Sequence, residues 1–344
     1  RAVEYCHLRS VKVYQTINIV MFEDEIDEAV ETIRTAAEAG VDAVLTQDLA
    51  VARMVRECAP TLPVHASTQM SIHNLEGARL CEELGFSRVV LARELTAAEI
   101  RHICENTPLE VEVFVHGALC MSVSGQCYLS SMIGGRSGNR GLCAQPCRLP
   151  FQAEGGKPYA LSLKDLSLAD RIAELTEMGV ASLKIEGRMK TALYVATVAR
   201  TYRKAIDDYL ENPEKYKANM EWYKEEIGKC TYREFTTGFY FGKPTSETQI
   251  YDSNTYVKNY IYLGTAEERD ARGFAKIEQK NKFSVGETIE IMKPDGRNIS
   301  ALVRGIYTEE GESQESAPHP KQVLYIDLDG EVEQYDILRK KEAE

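Results

Sequence analysis

At 344 residues and 44% hydrophobic content, the chain has material for one large domain and one small one, each with its own core. Its net charge of -12 argues against broad attraction to nucleic acid, which depends on lysine and arginine displacing counterions, although a local basic patch can still act. No apolar run reaches the roughly eighteen residues that a membrane-spanning helix requires.

The chain opens on Arg1 rather than Met, inside a helical stretch (RAVEYCHLRS), so strand–helix material is expected upstream. Short β-branched runs follow at 11–18, 43–48, 63–68, 88–93, 110–117, 159–165 and 181–187, and they read as buried parallel strands. Amphipathic helices separate most of them. EIDEAVETIRTAAEAG and NLEGARLCEELG each end in a stop glycine, and Thr96 with Glu99 predicts a capped start for the next helix. Repeated units of this kind give a TIM barrel or an open doubly wound sheet. Polar residues at the C-terminal ends of successive runs favour the barrel: Asn18, Gln47, Asp48, His65, Arg93, Glu94, His116, Lys184 and Glu186. Seven runs leave such a barrel short of strands, in keeping with the abrupt start.

The expected fold is therefore α/β. A TIM-barrel-like N-terminal domain with its first strand or strands missing covers 1–190 and carries a Cys-rich loop over 117–150. A helical linker and connecting segment, interrupted at Pro213, spans 191–254. A small all-β barrel covers 255–344, with a hairpin signalled by Pro294, Asp295 and Gly296, and with 308–318 read as a solvated loop.

Cys120, Cys127, Cys143 and Cys147 fall within 28 residues, spaced C-x6-C-x15-C-x3-C among glycines and arginines. Glycine lets the backbone turn where a side chain would clash, so four thiolates on such a loop can wrap a soft metal centre. Disulfides are disfavoured because Cys6, Cys58, Cys81, Cys104 and Cys230 are scattered singly, as reduced cysteines are. That usage also points to a reducing, cytoplasmic setting. A structural zinc remains open, although zinc knuckles pair ligands at C-x2-4-C twice and only Cys143 and Cys147 do so here. The wide gaps lean toward an iron–sulfur cluster. Ligand-free buried cysteines match a polar, Gly-rich loop poorly.

Other side chains have a functional reading and a plainer one. His116 and His65 end strands and can serve in catalysis, or as hydrogen-bonded structural histidines. Lys184, Glu186 and Arg188 alternate, which puts them on one face of an extended chain as an anion site, or as an internal ion pair. Arg136, Arg140 and Arg148 flank the cysteines, where they can bind an anionic substrate or offset thiolate charge. HExxH, GxSxG, Walker A and GxGxxG motifs are absent, and GRSGNRG lacks the Lys-Ser/Thr ending of a phosphate loop.

The block VFVHGALCMSVSGQCYLSSMIGGRSGNRGLCAQPCR, with PVHASTQMSIHN, VVLAREL, LSLKDL, SLKIEGRMK and YREFTTGFY, resembles peptidase family U32, the collagenase-like protease group. The resemblance covers essentially the whole chain. It implies one of two activities: proteolysis, or RNA hydroxylation, in which similar proteins convert the tRNA wobble uridine to 5-hydroxyuridine or act on a ribosomal RNA cytidine. The hydroxylating members depend on prephenate and on iron–sulfur assembly. By that resemblance Cys120, Cys127, Cys143 and Cys147 hold a [4Fe-4S] cluster. Arg136, Arg140 and Arg188 then bind an anionic donor such as prephenate, and His116, His65, Lys184 and Glu186 position groups or transfer protons. Lys276, Lys280 and Lys282 of the small barrel are expected to grip tRNA, a partner protein of the same family is a further expected partner, and no membrane is expected. Proteolysis and a purely structural metal site stand as the alternatives.

Overall fold

The computed structural model describes residues 1–151, 156–253 and 256–342. The chain divides into two compact units, one of 1–186 with 235–255 and the other of 187–234 with 256–344. Among the described residues no helix is long and apolar enough to cross a membrane.

The first unit is built on a mixed, mainly parallel sheet. After helix α1 (Ala2–His7), strands β1 (Tyr14–Ile17), β2 (Ala43–Thr46), β3 (Val64–Ala66), β4 (Arg88–Val90) and β5 (Glu110–Ala118) lie side by side in chain order. The runs of β2 to β5 are buried almost throughout, as strands covered on both faces must be, while the edge strand β1 buries only Ile17. The connecting helices are α2 (Ile26–Glu38), α3 (Leu49–Cys58), α4 (Leu75–Glu83) and α5 (Ala97–Asn106). Each turns a stripe of small or branched residues inward, such as Ala29, Ile33 and Ala36 of α2. Thr96 and Glu99 form the expected capping box of α5.

The far edge of β5 departs from a simple barrel. After α6 (Leu129–Gly134), the next strand is β6 (Asp165–Ser167), which runs antiparallel to the end of β5; β7 (Ser182–Ile185), reached through α7 (Ile172–Glu177), runs parallel to its middle. The run at 159–165 is therefore not a parallel strand as its composition predicts. Tyr159 to Ser162 form a turn, and the backbone bonds of Tyr159, Ser162 and Lys164 go to the segment 248–251. Strand β8 (Phe235–Thr236) extends the sheet beside β6.

The second unit joins helices to a small barrel. Helices α8 (Ala192–Glu211), α9 (Pro213–Ala218) and α10 (Met220–Ile227) belong to it, so the stretch read as a linker is part of a packed domain. The break at Pro213 is as expected: Pro213 opens α9, with Asn212 accepting from Glu214 N. The strands are β9 (Tyr260–Arg269), β10 (Ala275–Glu278), β11 (Phe283–Ser284), β12 (Thr288–Met292), β13 (Asn298–Tyr307), β14 (Ser313–Gln314), β15 (Ser316–Ala317), β16 (Val323–Leu328) and β17 (Ile337–Lys341). Six of them close antiparallel in the order β12, β17, β9, β10, β16, β13 and back to β12. Leu263, Ile277, Phe283, Ile291, Val303, Leu324 and Leu338 fill the interior. Gly296 turns the expected hairpin at φ +95°. The segment 308–318 is not wholly solvated: β14 pairs with β13, β15 with β11, and Ala317 is fully buried opposite Phe283.

Glu226 of α10 is buried against the guanidinium groups of Arg200 (α8) and Arg339 (β17), and Arg339 also donates to Glu290 at 2.7 Å. Removing one member would strand a buried charge, a change that typically costs about 3–5 kcal/mol.

Candidate active site at the rim of the α/β sheet

Strand β5 runs directly into the cysteine segment, which is tied down over the C-terminal ends of the parallel strands. The Gln47 amide, just past β2, donates to the Asn18 carbonyl (2.9 Å), to Gln69 Oε1 (3.1 Å) and to Asn139 Oδ1 (2.8 Å). Asn139 in turn donates to the Gly125 carbonyl. Glu94, past β4, accepts from both the backbone and the hydroxyl of Ser124 at 3.2 Å. Buried Arg148 donates to the carbonyls of Leu119 (2.7 Å) and Leu163 (2.6 Å). Gly125, at φ +79°, lies so close to the segment below that a Cβ there would stand 2.4 Å from the Gln69 carbonyl oxygen. The rim of such a sheet is where ligands and catalytic groups gather.

The four cysteines share one neighbourhood on this rim. Cys120 and Cys143 are exposed, and Cys127 and Cys147 are half-buried. Crowding by the surrounding protein raises the Cys120 thiol above its usual range; Arg93 and Arg148 oppose that, and Cys127 and Cys143 add to it. Burial likewise raises Cys147, against Arg148 and together with the other three thiols. Gln145, in a left-handed conformation, donates its backbone N–H to Cys143 Sγ at 3.3 Å. A Cβ at Gly138 would stand 3.5 Å from Cys143 Cβ and 3.8 Å from its Sγ, so the glycine keeps a hollow open between Cys143 and Cys127. Among the described residues no three His, Cys, Asp or Glu side chains are drawn together tightly enough to hold one metal ion. A tetrahedral zinc, with Zn–S near 2.3 Å, needs sulfurs about 3.8 Å apart. Four cysteine thiolates on one segment are equally the ligand set that would hold an iron–sulfur cluster.

The other residues singled out by sequence divide among several places. His65 and Lys184 lie in a charged belt within the sheet. Arg88 bridges Glu110 (2.6 Å) and Glu112 (3.1 Å), and Lys184 Nζ stands 2.7 Å from Glu112. His65 is buried beside Tyr14, and burial, then Arg88, lowers its pKa to about 4. His116 is buried with its ring against Phe235, and its carbonyl accepts from the backbone of half-buried Glu186 at 2.9 Å. Arg140 is committed to Glu25 and to the Val20 carbonyl. Arg136 is exposed and uses Nε on the Leu142 carbonyl at 3.0 Å. Arg188 is exposed and belongs to the second unit. In that unit Lys276 lies 3.4 Å from Glu268 and Lys280 is paired with Glu278, so two of the three lysines expected to grip RNA are neutralised locally.

Sequence reading placed Arg93 and Glu94 on the rim without giving them a role. The Arg93 guanidinium lies 3.7 Å from the centroid of the Phe114 ring, beside Cys120, with no carboxylate partner among the described residues. Stacking on Phe114 fixes its plane and leaves the donor edge available. His73 Nδ1 stands 2.6 Å from the Ser71 carbonyl, which can only accept, so Nδ1 carries a proton. Nε2 then faces Glu94 Oε2 at 3.3 Å. Phe114 and His73 come from other parts of the chain than the residues they serve, and composition alone does not pair them.

Similarity to known proteins agrees with this architecture. The chain is 35% identical to tRNA hydroxylation protein P1 of Bacillus subtilis (strain 168), over 98% of this chain and 83% of that protein. It is 38% identical to the 23S rRNA 5-hydroxycytidine synthase of Escherichia coli (strain K12), over 61% of this chain and 33% of that one. It is also 33% identical to a collagenase of Porphyromonas gingivalis, over 86% of this chain and 75% of that protein. The profile of peptidase family U32 matches residues 1–250 and that of the peptidase family U32 C-terminal domain matches 258–339, and the chain belongs to this family.

Proposed function

We propose that this protein is an RNA-modifying enzyme that hydroxylates tRNA, converting the wobble uridine to 5-hydroxyuridine with an anionic co-substrate such as prephenate. The observation that carries the reading is similarity along 98% of the chain to a protein named for tRNA hydroxylation. The gathering of four thiols on the rim supports it.

Cys120, Cys127, Cys143 and Cys147 are the residues to hold a [4Fe-4S] cluster, and their wide gaps in sequence suit a cluster better than a zinc knuckle. When bound, such a group supplies electron-transfer chemistry that amino-acid side chains lack. Arg93 is the guanidinium placed to take a carboxylate of the co-substrate, since Arg140 is already paired with Glu25. His73 Nε2 and Glu94 Oε2 stand 3.3 Å apart at the rim, where the pair can exchange a proton with a bound substrate. The target base has to leave its stack to reach this mouth, a small cost in a single-stranded anticodon loop.

The peptidase reading rests on the relative named as a collagenase. It lacks an activated nucleophile here: the buried Ser130 hydroxyl accepts from Ala144 N and pairs with no histidine among the described residues. The test is mass spectrometry of tRNA nucleosides from a host deleted for its own tRNA hydroxylation proteins. Restoration of 5-hydroxyuridine by this protein, but not by Cys120→Ala, is expected. Absence of the modified nucleoside with the unaltered protein well expressed would overturn the proposal.

A further inference from the structure

From His116 to Pro150 the chain contains no aspartate or glutamate and three arginines, in a protein of net charge -12. The same segment exposes large apolar side chains that a folded surface normally covers. Tyr128 is 56% exposed, Met132 82%, Ile133 60% and Leu142 55%. They form one patch. Tyr128 caps the start of α6 one turn before Met132, Arg136 follows the left-handed Gly135 that ends the helix, and Arg136 is tethered to Leu142 by its Nε bond. Arg136 is an exposed residue, and its terminal nitrogens have no carboxylate partner among the described residues.

An aromatic ring and two apolar side chains, with an exposed guanidinium on a segment that carries no acid of its own, match the chemistry of single-stranded RNA: bases with apolar faces strung on phosphates. An acidic surface elsewhere would repel that ligand, so the acid-free segment is where the phosphates can approach. We infer that the patch of Tyr128, Met132, Ile133 and Arg136 is the RNA-docking surface. An unstacked base lies on Tyr128 and Met132, and Arg136 contacts an adjoining phosphate, next to the cysteines. The inference rests on the tRNA reading and extends it by assigning the surface that receives the loop.

The test is anisotropy titration of a fluorescent tRNA anticodon stem-loop with the full chain and with Tyr128→Ala, Met132→Glu and Arg136→Gln. Tyr128→Ala should weaken binding roughly five- to hundredfold, the span seen for loss of one stacked base. Arg136→Gln should lower the slope of log K against log salt by about one phosphate contact. Circular dichroism confirms folding, and nucleoside analysis in cells reports function separately. Unchanged affinity in all three variants, with the unaltered protein binding RNA and hydroxylating it, overturns the docking surface and leaves the activity standing. A change of oligomeric state in Met132→Glu with RNA affinity intact reassigns the patch to contact between copies and overturns the inference. No RNA binding and no tRNA modification by the unaltered protein overturns both readings.

Discussion

Replacing Gly125 by alanine probes how firmly the cysteine segment is fastened to the sheet, because its cost has two separable parts. A left-handed backbone costs an L-residue about 1–2 kcal/mol, and this applies equally to Gly125 at φ +79° and to Gly135 at φ +65°. At Gly135 an added Cβ meets nothing within 4 Å. At Gly125 it would stand 2.4 Å from the Gln69 oxygen and 2.9 Å from Gln69 Cα, so the segment has to lift by about 1 Å to reach ordinary contact. Lifting it strains the chain of bonds that links Gln69 to Gln47, Gln47 to Asn139, and Asn139 to Gly125. At about 1 kcal/mol net for each bond, the lift adds about 2–3 kcal/mol. Gly125→Ala should therefore lose about 3–5 kcal/mol of local stability, against about 1–2 for Gly135→Ala. The assay is alkylation of half-buried Cys127 by iodoacetamide in the metal-free protein under native conditions, followed by peptide mass spectrometry. Local opening should make labelling roughly a hundredfold faster in Gly125→Ala than in Gly135→Ala. Equal rates in the two variants would refute the claim that close packing on Gln69 holds the segment down.

Three further predictions concern charge. His65 is held neutral with a folded-state pKa of about 4, below the unfolded value, so the unfolded chain binds the extra proton first. Stability should fall by up to about 3 kcal/mol as pH drops from about 6.5 to 4, and His65→Gln should flatten that part of a urea-midpoint profile. Burial raises Asp208, but hydrogen bonds from Tyr223, Lys204, Asn219 and Lys215 outweigh it and lower its pKa to about 2. The stability it contributes is complete above the unfolded carboxylate pKa and is lost as pH falls through about 2. The gap between the unaltered protein and Asp208→Asn should accordingly shrink by about 2 kcal/mol between pH 5 and 2, read by thermal unfolding. Arg93→Lys keeps the charge and loses the planar fork, so the prephenate concentration for half-maximal tRNA hydroxylation should rise about tenfold or more, with iron content unchanged. An unchanged prephenate dependence would remove Arg93 from the substrate site.

The sequence made some of this legible because certain signals are local. The parallel strands announce themselves as β-branched runs, Thr96 and Glu99 as a helix start, and the four cysteines by their crowding among glycines. What stayed hidden depends on partners remote in the chain. The run at 159–165 looks like a strand, yet its hydrogen bonds go to 248–251, about ninety residues on. Ala317 lies among acids and a proline that read as solvated, and only Phe283 across the barrel explains its burial. Arg140 and Arg93 are equally basic on paper. Glu25 occupies the first, and Phe114 orients the second.

The most direct test of the account is the iron and acid-labile sulfide content of anaerobically purified protein beside a variant with Cys120, Cys127, Cys143 and Cys147 all changed to alanine. About four irons and four sulfides per chain are expected, and both are lost in the variant. A single zinc without sulfide would contradict the cluster and the redox chemistry built on it.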